Sequence, residues 1–204
     1  MLIHSIIDCS EVNGPGKRTV VWLQGCQGMD CPGCWNAETH PFTGPYTNPL
    51  DVVDRILKAG MDGVTFSGGE PLQQLNEGLQ VCIRSLKAAR PEISIGLYTG
   101  YTPHELETGN YRWEINSPSE EQYPAPKYRK IAAWEWLKDR LDFAVMGRFN
   151  QAQLDASRPL CSSRNQDLVL FSDRYKLSDF RPQETEIIVS ADRVVITGFP
   201  VGIV

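Results

Sequence analysis

The chain has 204 residues, a formal net charge of −5 and an isoelectric point near 5.3. That length suits one domain with its own core, and an acidic balance without a Lys/Arg run excludes nucleic-acid binding through phosphates. No apolar stretch reaches membrane-spanning length and the first residues lack the regions of a signal peptide, so the expectation is a cytoplasmic protein with no membrane partner.

Residues 2–8 alternate loosely and predict a strand, and the breakers Asn13-Gly14-Pro15-Gly16 end it in a turn. Arg18–Leu23, with Thr19, Val20, Val21 and Trp22, predicts a second strand. A cysteine-rich loop follows directly, then a Pro/Gly/Thr-rich stretch over 41–48. Asn48 as N-cap and Pro49 in the first turn open a helix with Leu50, Val53, Ile56 and Leu57 on one face, stopped at Gly60. Gly63–Ser67 is a short strand, broken by Gly68-Gly69-Glu70-Pro71. There a second helix starts, with Leu72, Leu75, Leu79, Cys82, Ile83 and Leu86 at helical spacing. Ile93–Tyr98 is a strand ending at Thr99-Gly100-Tyr101, with a short helix from Thr102-Pro103. Strands alternating with helices imply an α/β fold with parallel pairing. Residues 108–127 are polar and aperiodic, with Pro118, Pro124 and Pro126, and read as an inserted loop or lid. Helix returns at Ile131–Leu137 and strand at Asp142–Met146; 147–167 is irregular. Thr185–Val189 and Arg193–Thr197, within 184–198, read as a closing hairpin of C-terminal edge strands. Without repeats or a linker, residues 1–204 form a single domain.

Six cysteines are present, but neither the size of the domain nor a secretory signal calls for disulfides. Cys26, Cys31 and Cys34 crowd one loop, whereas Cys9, Cys82 and Cys161 are scattered. Cys82 is expected on a buried helix face, Cys9 buried as well, and Cys161 partly exposed in a polar stretch. Three clustered thiolates leave one metal position open, which a catalytic centre needs and a structural one avoids. Thiolates suit zinc or an iron–sulfur cluster. With His40 as fourth ligand, zinc would make a structural zinc-binding interaction module. A cluster on three cysteines instead leaves an iron free to chelate an amine and a carboxylate.

Gly68-Gly69-Glu70 is the second unusual loop. Two glycines let the backbone approach a ligand closely, and the backbone carbonyls with the Glu70 carboxylate can hold an ammonium group. The plainer reading is a strand-to-helix turn with Glu70 at the helix N-terminus. In parallel α/β sheets function collects where strands end and helices begin. Both loops therefore belong on one rim.

These residues resemble the radical S-adenosylmethionine enzymes, and among them the activating enzymes of glycyl-radical proteins, such as the anaerobic ribonucleotide reductase activases. Asn13-Gly14-Pro15-Gly16-Lys17-Arg18 is similar to that family's Gly-Pro-Gly-x-Arg motif. Gly25-Cys26 through Cys34-Trp35-Asn36 is similar to its cluster loop, and Ser67-Gly68-Gly69-Glu70-Pro71-Leu72 to its methionine-binding segment. Tyr98-Thr99-Gly100-Tyr101 and Ser162 to Gln166 resemble weaker activase stretches. The resemblance implies an incomplete, TIM-like barrel with a curved, mainly parallel sheet. It implies a [4Fe-4S] cluster on Cys26, Cys31 and Cys34, with S-adenosyl-L-methionine on the open iron. Glu70 and the Gly68 and Gly69 backbone would hold the ammonium, with Ser67 and Thr99 in the same cofactor site. Trp35 would pack near the adenine, and Asn36 would fix the loop. Reductive cleavage then yields a 5′-deoxyadenosyl radical that abstracts hydrogen from a protein substrate, most directly a glycyl radical enzyme. A low-potential donor such as flavodoxin or ferredoxin supplies the electron. A radical modification of a peptide or small metabolite is the other enzymatic reading.

Two departures from the family stand out. Four residues rather than three separate Cys26 from Cys31, with Gly28 placed to absorb the extra one as a bulge, and Met146 occupies the position of an activase Asp. Trp134 and Trp136 are expected to pack on a helix, one facing solvent, and Trp113 to pack in the insertion. His4, His104, Glu120 and Glu121 are expected to have no chemical role.

Overall fold

The computed structural model describes residues 1–113, 125–189 and 194–199. Eight strands are described: β1 (Ile3–Ser10), β2 (Arg18–Leu23), β3 (Gly63–Gly68), β4 (Ser94–Thr99), β5 (Phe143–Met146), β6 (Asp167–Leu170), β7 (Thr185–Val189) and β8 (Val194–Gly198). The α-helices are α1 (Pro49–Ala59), α2 (Gln80–Ala89), α3 (Pro103–Glu107) and α4 (Lys127–Lys138). Strands β1 to β6 pair in sequence order in one sheet. The neighbours β2, β3, β4 and β5 run parallel, while β1 and β6 pair antiparallel at either end. The chain is therefore a mixed α/β structure around a mainly parallel sheet, with β1 and β6 as its edges. For β6 the sequence offers only the short run Leu168-Val169-Leu170, too brief to announce a strand by period.

Local signals set the crossovers. Asn48 Oδ1 accepts from the Leu50 amide at 3.0 Å, and Gly60 ends α1 in the left-handed region at φ 67. The second helix departs from one continuous span. It opens as a tight turn at Pro71–Gln74, widens into a π-turn at Leu75–Leu79, and only then becomes α2. The reason is local: Gln73 and Gln74 are fully buried, and both side chains reach sideways to loop backbone.

Strand alternation sends side chains to two cores. One face presents Val21, Leu23, Val64, Phe66, Ile95, Leu97, Ala144 and Met146 to the buried sides of α1, α2 and α4. The other face holds a second core built on Phe143 and Val145 with Leu160, Cys161, Phe180 and Phe199. Register places Trp22, Ser67, Tyr98 and Val145 side by side across this second face. Below them Arg18 is fully buried. Its guanidinium donates to Thr65 Oγ1 (2.7 Å), Val64 O (2.8 Å), Pro15 O (3.1 Å) and Ser94 Oγ (3.1 Å), and lies 5.0 Å from the centre of the Phe143 ring. Gly14 is required above it, since a Cβ there would come within 2.6 Å of Phe143 and 2.8 Å of Arg18.

Four expectations meet corrections or limits. Strands β7 and β8 do not join the main sheet; they form their own two-stranded sheet, because β6 already pairs with β5. Asn13 Nδ2 ties that hairpin to the body by donating to Thr197 Oγ1 at 2.9 Å. Cys9 is exposed on the edge strand β1, and Cys161 is buried in the second core, the reverse of what local polarity predicts. The centre of the inserted segment, 114–124, with Glu120 and Glu121, lies outside the described residues. Its near flank is buried: Trp113 joins the main core and its carbonyl accepts from the Asn76 amide at 3.2 Å. Trp134 is buried, while Trp136 is half-buried beneath Arg140, 4.3 Å from its ring. Among the described residues no helix is long and apolar enough to cross a membrane.

Candidate active site

Leu23 and Gly68 are register partners at the ends of parallel β2 and β3, so the chain leaves both strands on the same rim. The two loops are stitched together there. The Gly69 amide donates to Leu23 O at 2.8 Å, and the Glu70 amide to Gly25 O at 2.8 Å. No side chain fits between them: a Cβ on Gly69 would stand 2.2 Å from the Gly25 carbonyl oxygen, and one on Gly68, at φ 93, would stand 2.7 Å from the Leu23 backbone.

Around this junction lies a cleft of about 360 Å³. Cys26, Cys31, Cys34, Trp35 and Asn36 line one wall, and Ser67, Gly68, Gly69, Glu70 and Thr99 line the adjoining one. The row Trp22, Ser67, Tyr98 and Val145 contributes its floor, and residues of the C-terminal part, Leu160 and Phe199 among them, close the far side. All ten residues named from the sequence for chemistry thus face one space.

The longer cysteine loop turns at two left-handed residues, Gly28 (φ 73) and Asp30 (φ 42). A Cβ on Gly28 would meet open space, so the extra residue bulges outward. Met29 turns inward instead and is buried in the main core. Burial pushes all three thiols up, Cys26 furthest, with the Glu70 charge adding to it. Opposing this, the Phe149 amide hydrogen-bonds Cys31 and the Asn36 amide hydrogen-bonds Cys34. Cluster formation must displace three thiol protons, and those amides favour the thiolates that result. Trp35 is 44% exposed on the rim, its ring 6.1 Å from that of Phe149. The Asn36 carbonyl receives the Thr39 amide (2.9 Å) and hydroxyl (2.7 Å), closing the turn after the last cysteine.

Glu70 is buried and already engaged. Its Oε1 accepts from the Leu72 amide (3.0 Å) and Thr99 Oγ1 (2.9 Å), and its Oε2 from the Gly100 amide (2.8 Å). The plainer reading of a helix-opening residue therefore holds, and Glu70 also laces the end of β3 to the end of β4. Burial pushes its carboxyl up to about 7, although these hydrogen bonds pull the other way. Oε2 accepts one hydrogen bond from the described residues and keeps acceptor capacity for an ammonium.

The donor set fits a cluster. Three thiols face one cleft lined by a glycine-bared backbone, and a cluster takes each thiolate on a different iron. Among the described residues no three His, Cys, Asp or Glu side chains converge on a single-ion site. His40 reaches the cleft, and its carbonyl accepts from the Cys26 amide at 2.9 Å.

Several site residues carried no usable sequence signal. Tyr98 supplies a buried hydroxyl without a hydrogen-bond partner, the only cleft-lining residue among the described ones to do so. Arg148 forms a paired contact with Glu105, at 2.9 Å on each arm, and lies 5.8 Å from the centre of the Tyr101 ring, next to the cysteine loop. Gln73 grips the loop backbone. Only Tyr98 fell within a motif the sequence singled out. Met146, at the position of the activase acid, is buried in the main core on the helix side of the sheet.

A family described as a 4Fe-4S single cluster domain matches residues 12–169. The anaerobic ribonucleoside-triphosphate reductase-activating protein of Vibrio cholerae serotype O1 is 30% identical over 179 residues, covering 84% of this chain and 99% of that protein. The protein of the same name from Escherichia coli K12 is 32% identical over 115 residues, covering 52% of this chain and 73% of its own. The pyruvate formate-lyase-activating enzyme of Listeria monocytogenes is 40% identical over 81 residues, covering 36% of this chain and 32% of its own. With this span of match added to a cleft walled by three thiols and a Gly-Gly-Glu loop, the chain belongs to the 4Fe-4S single cluster domain family, alongside the activating proteins of anaerobic ribonucleoside-triphosphate reductases.

Proposed function

We propose that the chain is a radical S-adenosylmethionine enzyme that activates a glycyl radical enzyme. One observation carries the reading: parallel β2 and β3, in register at Leu23 and Gly68, bring the three thiols and the Gly-Gly-Glu loop onto one cleft. Cys26, Cys31 and Cys34 would hold a [4Fe-4S] cluster, and the chemistry it would supply when bound is one-electron reductive cleavage of S-adenosyl-L-methionine, leading to hydrogen abstraction from a protein substrate.

The chain's own residues bind, orient and exclude water. Gly68 and Gly69 let the cofactor's ammonium approach backbone carbonyls, and Glu70 offers its remaining acceptor capacity beside them. Thr99 Oγ1 fixes the Glu70 carboxylate. Ser67 lies on the floor with Tyr98, and Trp35 on the rim offers an aromatic face to the adenine. The apolar second core beneath the floor excludes water from that side of the cleft. We read the sheet as an incomplete, TIM-like barrel, residues 1–204 as one radical S-adenosylmethionine domain with an insertion at 108–127, and a reduced flavodoxin or ferredoxin in the cytoplasm as the electron source.

Anaerobic reconstitution with iron and sulfide, followed by S-adenosylmethionine and dithionite, tests the reading. Wild type should yield 5′-deoxyadenosine and Cys31→Ala none. Mixing with the glycyl-radical protein of the same organism should give a glycyl doublet in electron paramagnetic resonance. Zinc without sulfide in anaerobically purified protein would reject the cluster. A mass change on a peptide or metabolite, with no doublet, would redirect the substrate.

A further inference from the structure

Cys26 and Cys31 are separated by four residues, and the structure shows what holds that longer loop in shape. Gln73 is fully buried in the turn that follows Gly-Gly-Glu. Its Nε2 donates to Gln27 O at 2.8 Å, and its Oε1 accepts from the Gln27 amide at 2.9 Å. One side-chain amide thus satisfies both backbone groups of the residue after Cys26, as a neighbouring strand would. The clasp extends outward. Gln73 Nε2 also donates to Tyr101 Oη at 3.2 Å, Tyr101 Oη accepts from the Arg112 amide at 2.9 Å, and Arg112 Nη1 donates to Gln27 Oε1 at 2.7 Å. Gln27 is therefore held by its backbone from one side and by its side chain from the other. On the near side of Cys26, Gln74 Nε2 donates to Gln24 O at 3.0 Å.

The cysteine loop is pinned at Gln27 by hydrogen bonds and at Met29 by burial, and it turns at the left-handed residues Gly28 and Asp30. Each unpinned backbone residue costs on the order of 1–2 kcal/mol to order when a ligand demands one shape. We infer that Gln73 is a positioning residue for the iron–sulfur cluster: its amide presets the Cys26–Cys31 separation that the longer loop does not fix by itself, and Tyr101 and Arg112 hold the amide in place. The inference rests on the reading of Cys26 and Cys31 as cluster ligands.

Four variants decide it. Gln73→Leu removes both bonds to Gln27, Gln73→Glu keeps only the acceptor, Arg112→Ala removes the outer grip, and Leu86→Ala destabilises α2 away from the loop. In the chain without metal, hydrogen exchange over residues 24–32 should be about tenfold faster in Gln73→Leu and unchanged in Leu86→Ala. After reconstitution, Gln73→Leu should lose iron to a ferrous chelator about tenfold faster than wild type, with Gln73→Glu and Arg112→Ala between them. Leu86→Ala should lower the unfolding midpoint without speeding iron loss. Loop exchange in Gln73→Leu equal to wild type overturns the inference. So does iron loss that follows the unfolding midpoint across all variants, because Gln73 would then be a stability residue only. If wild type holds no cluster, the proposed function fails, while the exchange measurement still decides the clasp.

Discussion

Glu70 carries two roles in one side chain. It caps the turn after Gly-Gly-Glu, and its burial pushes the carboxyl up to about 7 from an ordinary 4.5. A raised folded-state value favours the folded form where the group is protonated. That contribution is complete below pH 4.5 and disappears as pH rises through about 7. In the metal-free chain, unfolding free energy should therefore fall across this window, by on the order of 3 kcal/mol from this group. Glu70→Gln should flatten the slope in urea titrations run at several pH values. Tyr98 has the opposite character. Its buried hydroxyl has no hydrogen-bond partner among the described residues, which costs about 1–3 kcal/mol. Tyr98→Phe should leave the metal-free chain as stable or about 1 kcal/mol more stable in urea denaturation. A loss of thermal stability in Tyr98→Phe would show that the hydroxyl is satisfied by the protein itself.

Among elements, the junction of β2 and β3 decides most. A methyl group on Gly69 collides with the Gly25 carbonyl at 2.2 Å, a backbone contact that cannot rotate away. Gly69→Ala should cost about 1–3 kcal/mol and reduce iron bound after reconstitution, read by metal analysis. This junction was legible in the sequence because β-branched runs, breakers and cysteine spacing all act locally. Strands β2 to β5 and helix α1, including its cap at Asn48 and stop at Gly60, follow directly from such signals. What was not legible depends on contacts distant in sequence. Strand β6 exists because β5 offers a free edge. The π-turn at Leu75–Leu79 follows from two glutamines reaching across to other loops. Cys161 is buried because Tyr98, Phe143 and Phe180 gather around it from three separate segments. A polar neighbourhood along the chain says nothing about such an assembly.

For the whole molecule, the buried Arg18 is the keystone of the second face. It bonds to strands β3 and β4 and stacks on Phe143 of β5, joining the strands beneath the cleft without a carboxylate partner among the bonds described. Lysine has the charge but not the planar fork. Arg18→Lys should cost about 2–3 kcal/mol in urea denaturation, and bound iron per folded chain should be unchanged. Among the described residues the sheet above it ends in two edge strands, β1 and β6, that do not pair with each other. The cleft, by contrast, has its own far wall in Leu160 and Phe199, and its accessible approach is the rim that carries Trp35. On the proposed reading a bound substrate would cover that approach, and cofactor spent per radical made should fall when it does.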